Sequence, residues 1–259
     1  MPAIRIENVG KIYEDADGNN VTALNNINLT INDGEFVSIV GPSGCGKSTL
    51  LEIVAGLQPA TSGNVYLDDK PVTGPGRDIG VVFQSAALFP WRTVRKNMAY
   101  GMEIAKVPKE EQKKRIDKYL DLMGLKDFAD KYPAQLSGGM RQRAGIARTL
   151  IMNPKVTLMD EPFSAVDHLT RSTLQEELIR IHQTEKKTVL FVTHDISEAV
   201  LLSDRVILLT PRPGRIQEEY VIKTKQPRSR TDDEIIKISA QIIADISRGA
   251  EFKAAEDFI

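Results

Sequence analysis

The stretch FVSIV (Phe36–Val40) runs straight into GPSGCGKST (Gly41–Thr49), and LLEIVAGL follows it. A short apolar run is the pattern of a buried strand. The segment after the glycines reads as a helix ending near Gly56. Strand, glycine-rich loop and helix in that order are the context that G-x-x-x-x-G-K-[ST] requires. Gly41, Gly44 and Gly46 free the backbone to turn successive N–H groups inward. The helix start adds the positive end of its dipole. Pro42, Ser43, Cys45 and Thr49 complete the predicted nucleotide-binding loop. Lys47 is expected to reach the β- and γ-phosphates as a point charge, and the Ser48 hydroxyl to ligate Mg²⁺. The alternative is a chance glycine turn before a helix. Cys45 reads as a small filler whose alkylation would block the loop sterically.

Further along, VTLMDEP (Val156–Pro162) places two carboxylates after four mostly apolar residues. Open α/β sheets bind ligands at the C-terminal ends of their strands. Asp160 is therefore assigned to the magnesium shell through water, and Glu161 to the γ-phosphate side as general base. An acidic turn before Pro162 is the bland alternative. Gln84 follows the apolar run Val81–Phe83, and its amide oxygen could ligate Mg²⁺ or hold the attacking water. Read alone it is a surface glutamine. His194 ends the strand-like VLFVT; a γ-phosphate contact competes with a satisfied core histidine. Tyr13 follows an N-terminal strand and could stack on adenine or simply pack.

LSGGMRQR (Leu136–Arg143) puts Gly138 and Gly139 at a helix start, with Ser137 as an added donor. This is a second anion site. In a chain that already cradles phosphates at 41–49, a second such site makes sense if it closes over the nucleotide of another subunit. The expectation is a homodimer glued by ATP and released by hydrolysis.

Around these motifs, residues 3–40 read as strands, with Leu24–Ile31 alternating apolar and polar and turns at Asp15–Asn20 and Asp33-Gly34. From about Ala86 to Asn153 the pattern turns helical. Pro108 and Gly124 bracket one helix, and Ser137 caps another from about Gly139 to Met152. Short buried strands return at Val156–Met159, Val189–Thr193 and Arg205–Thr210. Asp195 with Glu198, and Thr231 with Glu234, resemble capping boxes. Ile235, Ile238, Ile242 and Ile246 share one face of a tail helix expected to pack on the core. Strand–helix alternation predicts an α/β fold with a mostly parallel sheet and a helical insertion.

Composition excludes several classes. A net charge of −1 gives no global basic field for nucleic acid. One cysteine permits no internal disulfide framework and no metal-ligand cluster. No apolar run approaches the roughly 18 residues of a membrane span. The start MPAIRIENVG lacks the pattern of a secretory signal. The expectation is a chain that does not cross a membrane by itself.

Together these residues resemble the nucleotide-binding subunit of ATP-binding cassette transporters. The Walker A loop is 41–49, the Q-loop glutamine Gln84, the signature 136–140, and Walker B with its glutamate 156–161. The D-loop is Ser164–Asp167 and the switch histidine is His194. The resemblance runs to about residue 220. It implies a P-loop NTPase with a RecA-like core and an N-terminal antiparallel β subdomain at 1–85 and 154–225. A helical signature subdomain at 86–153 and a helical tail at 226–259 would complete a single domain. It also implies head-to-tail dimers sharing two ATP sites, Asp167 included, with catalytic roles for Lys47, Gln84, Glu161 and His194. One departure is Val166-Asp167-His168, where such proteins often read Leu-Asp-Ala.

The segment SAALFPWRTVRKNM after Gln84 looks like the importer subset, where a groove receives a coupling helix of the permease. Phe89, Pro90, Trp91 and Val94 would line it, in a docking segment Gln84–Val94. FPWRTVRKNM and PRPGRI (Pro211–Ile216) are similar to ATPases of the nitrate, sulfonate and taurine uptake group; some relatives handle bicarbonate. The implied setting is the cytoplasmic face of the membrane, with a permease as partner and a solute-binding protein acting indirectly. Other cassette systems, soluble cassette proteins and phosphate-loop kinases are the competing readings. The FPW segment weighs against the first. A single cassette without a long coiled coil weighs against the second, and LSGGMRQR with His194 against the third.

Overall fold

A computed structural model describes residues 2–14, 18–164 and 166–256. The first part of the turn read at Asp15–Asn20, Ala165 of the D-loop segment, and residues 257–259 of the tail lie outside the described residues. In chain order the strands and helices begin with β1 (Pro2–Glu14), β2 (Asn20–Asn32), β3 (Phe36–Val40), α1 (Lys47–Val54), β4 (Ser62–Leu67) and β5 (Lys70–Pro71). Next come β6 (Ile79–Val82), α2 (Val94–Ile104), α3 (Lys109–Leu122), α4 (Gly138–Leu150), β7 (Val156–Asp160) and α5 (His168–Glu185). The chain closes with β8 (Thr188–Val192), α6 (Ile196–Leu202), β9 (Arg205–Leu209), β10 (Ile216–Val221) and α7 (Asp233–Glu256). It divides into two compact units, residues 1–76 with 182–259 and residues 77–181.

The first unit holds two sheets. One is antiparallel, in the order β2-β1-β4-β5. Its β2 buries Ile27, Leu29 and Ile31 and exposes Asn28, Thr30 and Asn32. That alternation is what a sheet with one wet face demands. In the other sheet β3 runs parallel to both β8 and β9, and β10 joins β9 antiparallel. Every residue of β3 and β8 is buried, as expected of parallel strands covered on both faces. The one polar side chain in β3, Ser38, shares a hydrogen bond with Ser203, so its burial carries no unmet polar group. The expected tail face packs as read. Ile235 and Ile242 are buried among Val40, Val200, Leu208 and Ile222, with Ile238 and Ile246 against the same cluster. Full burial of such a side chain contributes about 1.5–3 kcal/mol.

In the second unit β6 and β7 pair in parallel, and α2, α3 and α4 form the helical part. Ser137 caps α4 by accepting from Met140 N at 3.2 Å. The helix starts one residue earlier and stops two residues sooner than the sequence pattern suggested. Pro108 and Gly124 bracket α3 as expected, Gly124 with φ +60°.

Four expectations are corrected. The stretch from Ala86 to Arg92 is not helical; the helix waits for the Thr93 cap. Buried Asn97 explains this, since its amide accepts from Phe89 N at 2.8 Å and donates to Phe89 O at 3.2 Å and Arg92 O at 2.9 Å. The Asp195–Glu198 box is only half made. Asp195 accepts from Glu198 N at 3.0 Å, but the Glu198 carboxylate turns inward and accepts from the Thr193 hydroxyl at 2.6 Å. The Thr231–Glu234 box does not form, because the Glu234 carboxylate accepts from Lys223 N and the Thr224 hydroxyl. Val94, expected to line a surface groove, is fully buried as the first residue of α2.

Candidate functional site

The phosphate loop lies between β3 and α1 in the first unit. Gly44 and Gly46 take φ of +74° and +101°, values that only glycine adopts freely. Gly46 is also the N-cap of α1. A Cβ there would stand 2.6 Å from Leu24 Cδ2. Lys47 is buried, and its Nζ donates to Gly41 O at 2.8 Å and Pro42 O at 3.0 Å. Ser43, Gly44 and Ser48 are exposed, so the loop presents backbone and a hydroxyl to solvent. Cys45 is fully buried, which raises its thiol pKa and suits the filler reading.

Tyr13 stands beside this loop. Its hydroxyl donates to Gln58 Oε1 at 2.8 Å and reaches Thr49 Oγ1 at 3.5 Å. The ring is 39% exposed, with Lys11 Nζ 5.0 Å from its centroid. His194 follows β8 and is exposed, which removes the core-histidine alternative. Its flanks are pinned: Asp195 N donates to Thr193 Oγ1 at 3.1 Å, and that hydroxyl donates to buried Glu198.

The second unit brings together Gln84 and the carboxylate after β7. Gln84 Nε2 donates to Glu161 Oε2 at 3.3 Å. Glu161 has φ +43°, a conformation uncommon outside glycine. Asp160 ends β7, half-buried. Helix α4 is stitched to the segment that carries Gln84. Gln142 donates to Phe83 O at 3.0 Å, Arg148 to Ala87 O at 2.8 Å, and Thr149 to Val81 O at 3.0 Å. The signature also borders the D-loop: a Cβ on Gly139 would lie 3.7 Å from Val166 Cγ1. Asp167 accepts from Thr170 N at 3.0 Å, capping α5. That bond and the nearby Arg143 cation hold its carboxyl below its ordinary pKa.

Ser48 in the first unit offers a hydroxyl; Gln84 and Asp160 in the second offer an amide oxygen and a carboxylate. All are hard oxygen donors of the kind Mg²⁺ takes. Among the described residues no group of three or more His, Cys, Asp or Glu could hold a metal ion.

Sequence reasoning missed several residues. Leu169, two residues after Asp167 of the D-loop, is 81% exposed, and an apolar residue so placed is a signal that local reading could have used. Arg143 carries no such signal and Glu198 signals only a capping box, because their roles come from a partner distant in the chain or from burial.

A parallel-strand core carrying a glycine loop that ends in Lys47 and Ser48, with Gln84 on Glu161 and a glycine-started signature helix, defines a P-loop ATPase cassette. Residues 24–164 match the ABC transporter family, and the chain belongs to it. It is 53% identical over 240 residues to a protein of Methanocaldococcus jannaschii described as an uncharacterized ABC transporter ATP-binding protein, covering 93% of this chain and 90% of that one. It is 44% identical over 262 residues to the nitrate import ATP-binding protein NrtD of Synechocystis sp., covering 98% of each. Among solved structures it resembles the dimeric post-hydrolysis state of the ATP-binding cassette MJ0796 bound to ADP and Pi. The TM-score is 0.78 at 36% identity, over 86% of this chain and all of the other. No helix among the described residues is long and apolar enough to cross a membrane.

Proposed function

We propose that this chain is the ATP-hydrolysing subunit of an importer for a small anion of the nitrate, bicarbonate or sulfonate type. The observation that carries the hydrolytic part is the Gln84–Glu161 hydrogen bond. It keeps a carboxylate oriented by an amide that can also hold water, the arrangement a general base needs. Lys47 and the loop amides would bind the β- and γ-phosphates, Tyr13 would meet adenine, and His194 would contact the γ-phosphate. Ser48 and Gln84, with Asp160 through water, would hold Mg²⁺, which supplies charge neutralisation for the phosphates.

The signature Ser137, Gly138 and Gly139, with Asp167 beside them, would complete the site of a second copy. Likeness to a cassette solved as a dimer supports this reading. The permease would dock on Gln84–Trp91, where Trp91 is 71% exposed and its ring centroid lies 5.5 Å from that of Phe89. This would hold the chain on the cytoplasmic face of the membrane. Residues 86–153 would be the signature subdomain, the rest to 225 the core, and 226–259 a packed tail.

The solute class rests on the end-to-end similarity to the nitrate import protein. Affinity purification of the tagged chain from detergent-solubilised native membranes tests the proposal. Co-elution of a multi-span permease, with a binding protein that takes nitrate, bicarbonate or a sulfonate, is expected. Recovery only with ribosomal or DNA-repair partners would overturn import and leave the ATPase reading standing.

A further inference from the structure

The turn that follows β9 is tightly closed. Thr210 N donates to Arg215 O at 2.9 Å, Arg215 N donates to Thr210 Oγ1 at 3.0 Å, and that hydroxyl donates to Pro213 O at 2.9 Å. Its tip, Pro211–Gly214, lies against the phosphate loop. Gly214 N donates to Ala23 O and Asn25 N donates to Gly214 O, each at 2.9 Å, so the turn bridges to β2 around Leu24. A Cβ on Gly214 would stand 2.1 Å from Cys45 O and 3.2 Å from Leu24 Cδ2. Buried Leu24 is thus wedged between two residues without side chains, Gly46 and Gly214. Strand, loop and turn meet at backbone distance.

Two peptide planes of the loop are held by this contact. The Gly44 carbonyl accepts from Arg212 Nε at 3.3 Å, while Cys45 N donates to Pro42 O at 3.3 Å. The next carbonyl, Cys45 O, is pressed on Gly214. A trans peptide points its N–H opposite to its C=O, so Gly46 N–H faces away from the turn. A donor fixed before the ligand arrives costs no ordering on binding.

We infer that the turn 211–214 is a built-in buttress of the phosphate loop, and that Arg212 and Gly214 are positioning residues for the phosphates of ATP. The inference rests on reading 41–49 as the phosphate-binding loop, and it gives PRPG a role distinct from docking or solute choice.

The test measures ATP and inorganic tripolyphosphate affinity of the full chain by calorimetry. It compares wild type, Arg212→Ala, Arg212→Lys and Gly214→Ala, each with its thermal midpoint. Gly214→Ala is expected to weaken both ligands about tenfold or more, since the loop backbone must shift to admit a methyl. Arg212→Ala should weaken both by about three- to tenfold at an unchanged midpoint, and Arg212→Lys should restore most of the loss. Equal factors for ATP and tripolyphosphate place the effect on the phosphates, and an unchanged thermal midpoint separates it from a loss of folding, which would weaken both ligands as well. Wild-type affinity in Arg212→Ala and in a folded Gly214→Ala would overturn the buttress. So would a loss confined to ATP. If Gly214→Ala does not fold, the two Arg212 variants decide. A wild-type chain that binds neither ligand would sink the loop reading itself, which separates the two failures.

Discussion

Gln84 Nε2 donates to Glu161 Oε2 at 3.3 Å, joining two side chains 77 residues apart in the chain. The amide orients the carboxylate without neutralising it. Helix α4 is bonded to the backbone around Gln84, so one hydrogen-bonded set joins the signature helix, Gln84 and Glu161.

Glu161→Gln keeps the shape of the side chain and removes its charge. If Glu161 is the general base, the variant should bind ATP, fail to hydrolyse it and accumulate as an ATP-dependent dimer. Light scattering at saturating ATP reads this directly; persistent monomer would count heavily against the shared-site reading.

Lys47→Ala should raise the ATP dissociation constant by at least about tenfold, because a charge-assisted bond to phosphate contributes about 1.5–3 kcal/mol. Lys47 also tethers Gly41 O and Pro42 O, so the loop would loosen as well. Calorimetry with unchanged affinity, together with wild-type turnover, would remove the loop assignment.

His194→Ala should leave ATP binding largely intact while turnover falls tenfold or more, about 1.4 kcal/mol or more of barrier. The residue is exposed, so folding should be unaffected. Wild-type turnover would strip His194 of its proposed role.

Trp91→Ala should spare the ATPase activity of the isolated subunit and impair transport in the assembled complex. Its exposure makes a stability change beyond about 0.5 kcal/mol unexpected. Normal uptake by the reconstituted complex would place docking elsewhere.

The imidazole of His182 packs edge-on against Phe36 at 5.3 Å, and its Nε2 lies 3.0 Å from Gly34 O. Burial lowers its pKa, with Asp204 and the Gly34 carbonyl opposing. The unfolded chain therefore takes up this proton first as pH falls through about 6.5, and stability drops there. Urea unfolding between pH 7.5 and 5.5 should show the loss. His182→Gln should flatten that part of the profile, and an unchanged profile would assign the slope to other groups.

The sequence by itself determined the phosphate loop, the 156–161 carboxylates, the signature cap and the isoleucine face of α7. Each is written in adjacent residues or at a fixed helical spacing, so local chemistry suffices to read it. Tertiary structure decided where the polar side chains went. Glu198 and Glu234 sit at capping-box spacing, yet Thr193 and Thr224 claim their carboxylates. Asn97 holds residues 89–93 out of a helix, and Val94 is buried rather than offered to a partner. The same holds for Gln84 on Glu161 and for Gly214 beneath Cys45. A hydrogen bond or a missing Cβ acts over a few ångströms in space, and chain spacing does not record which distant groups folding will bring that close.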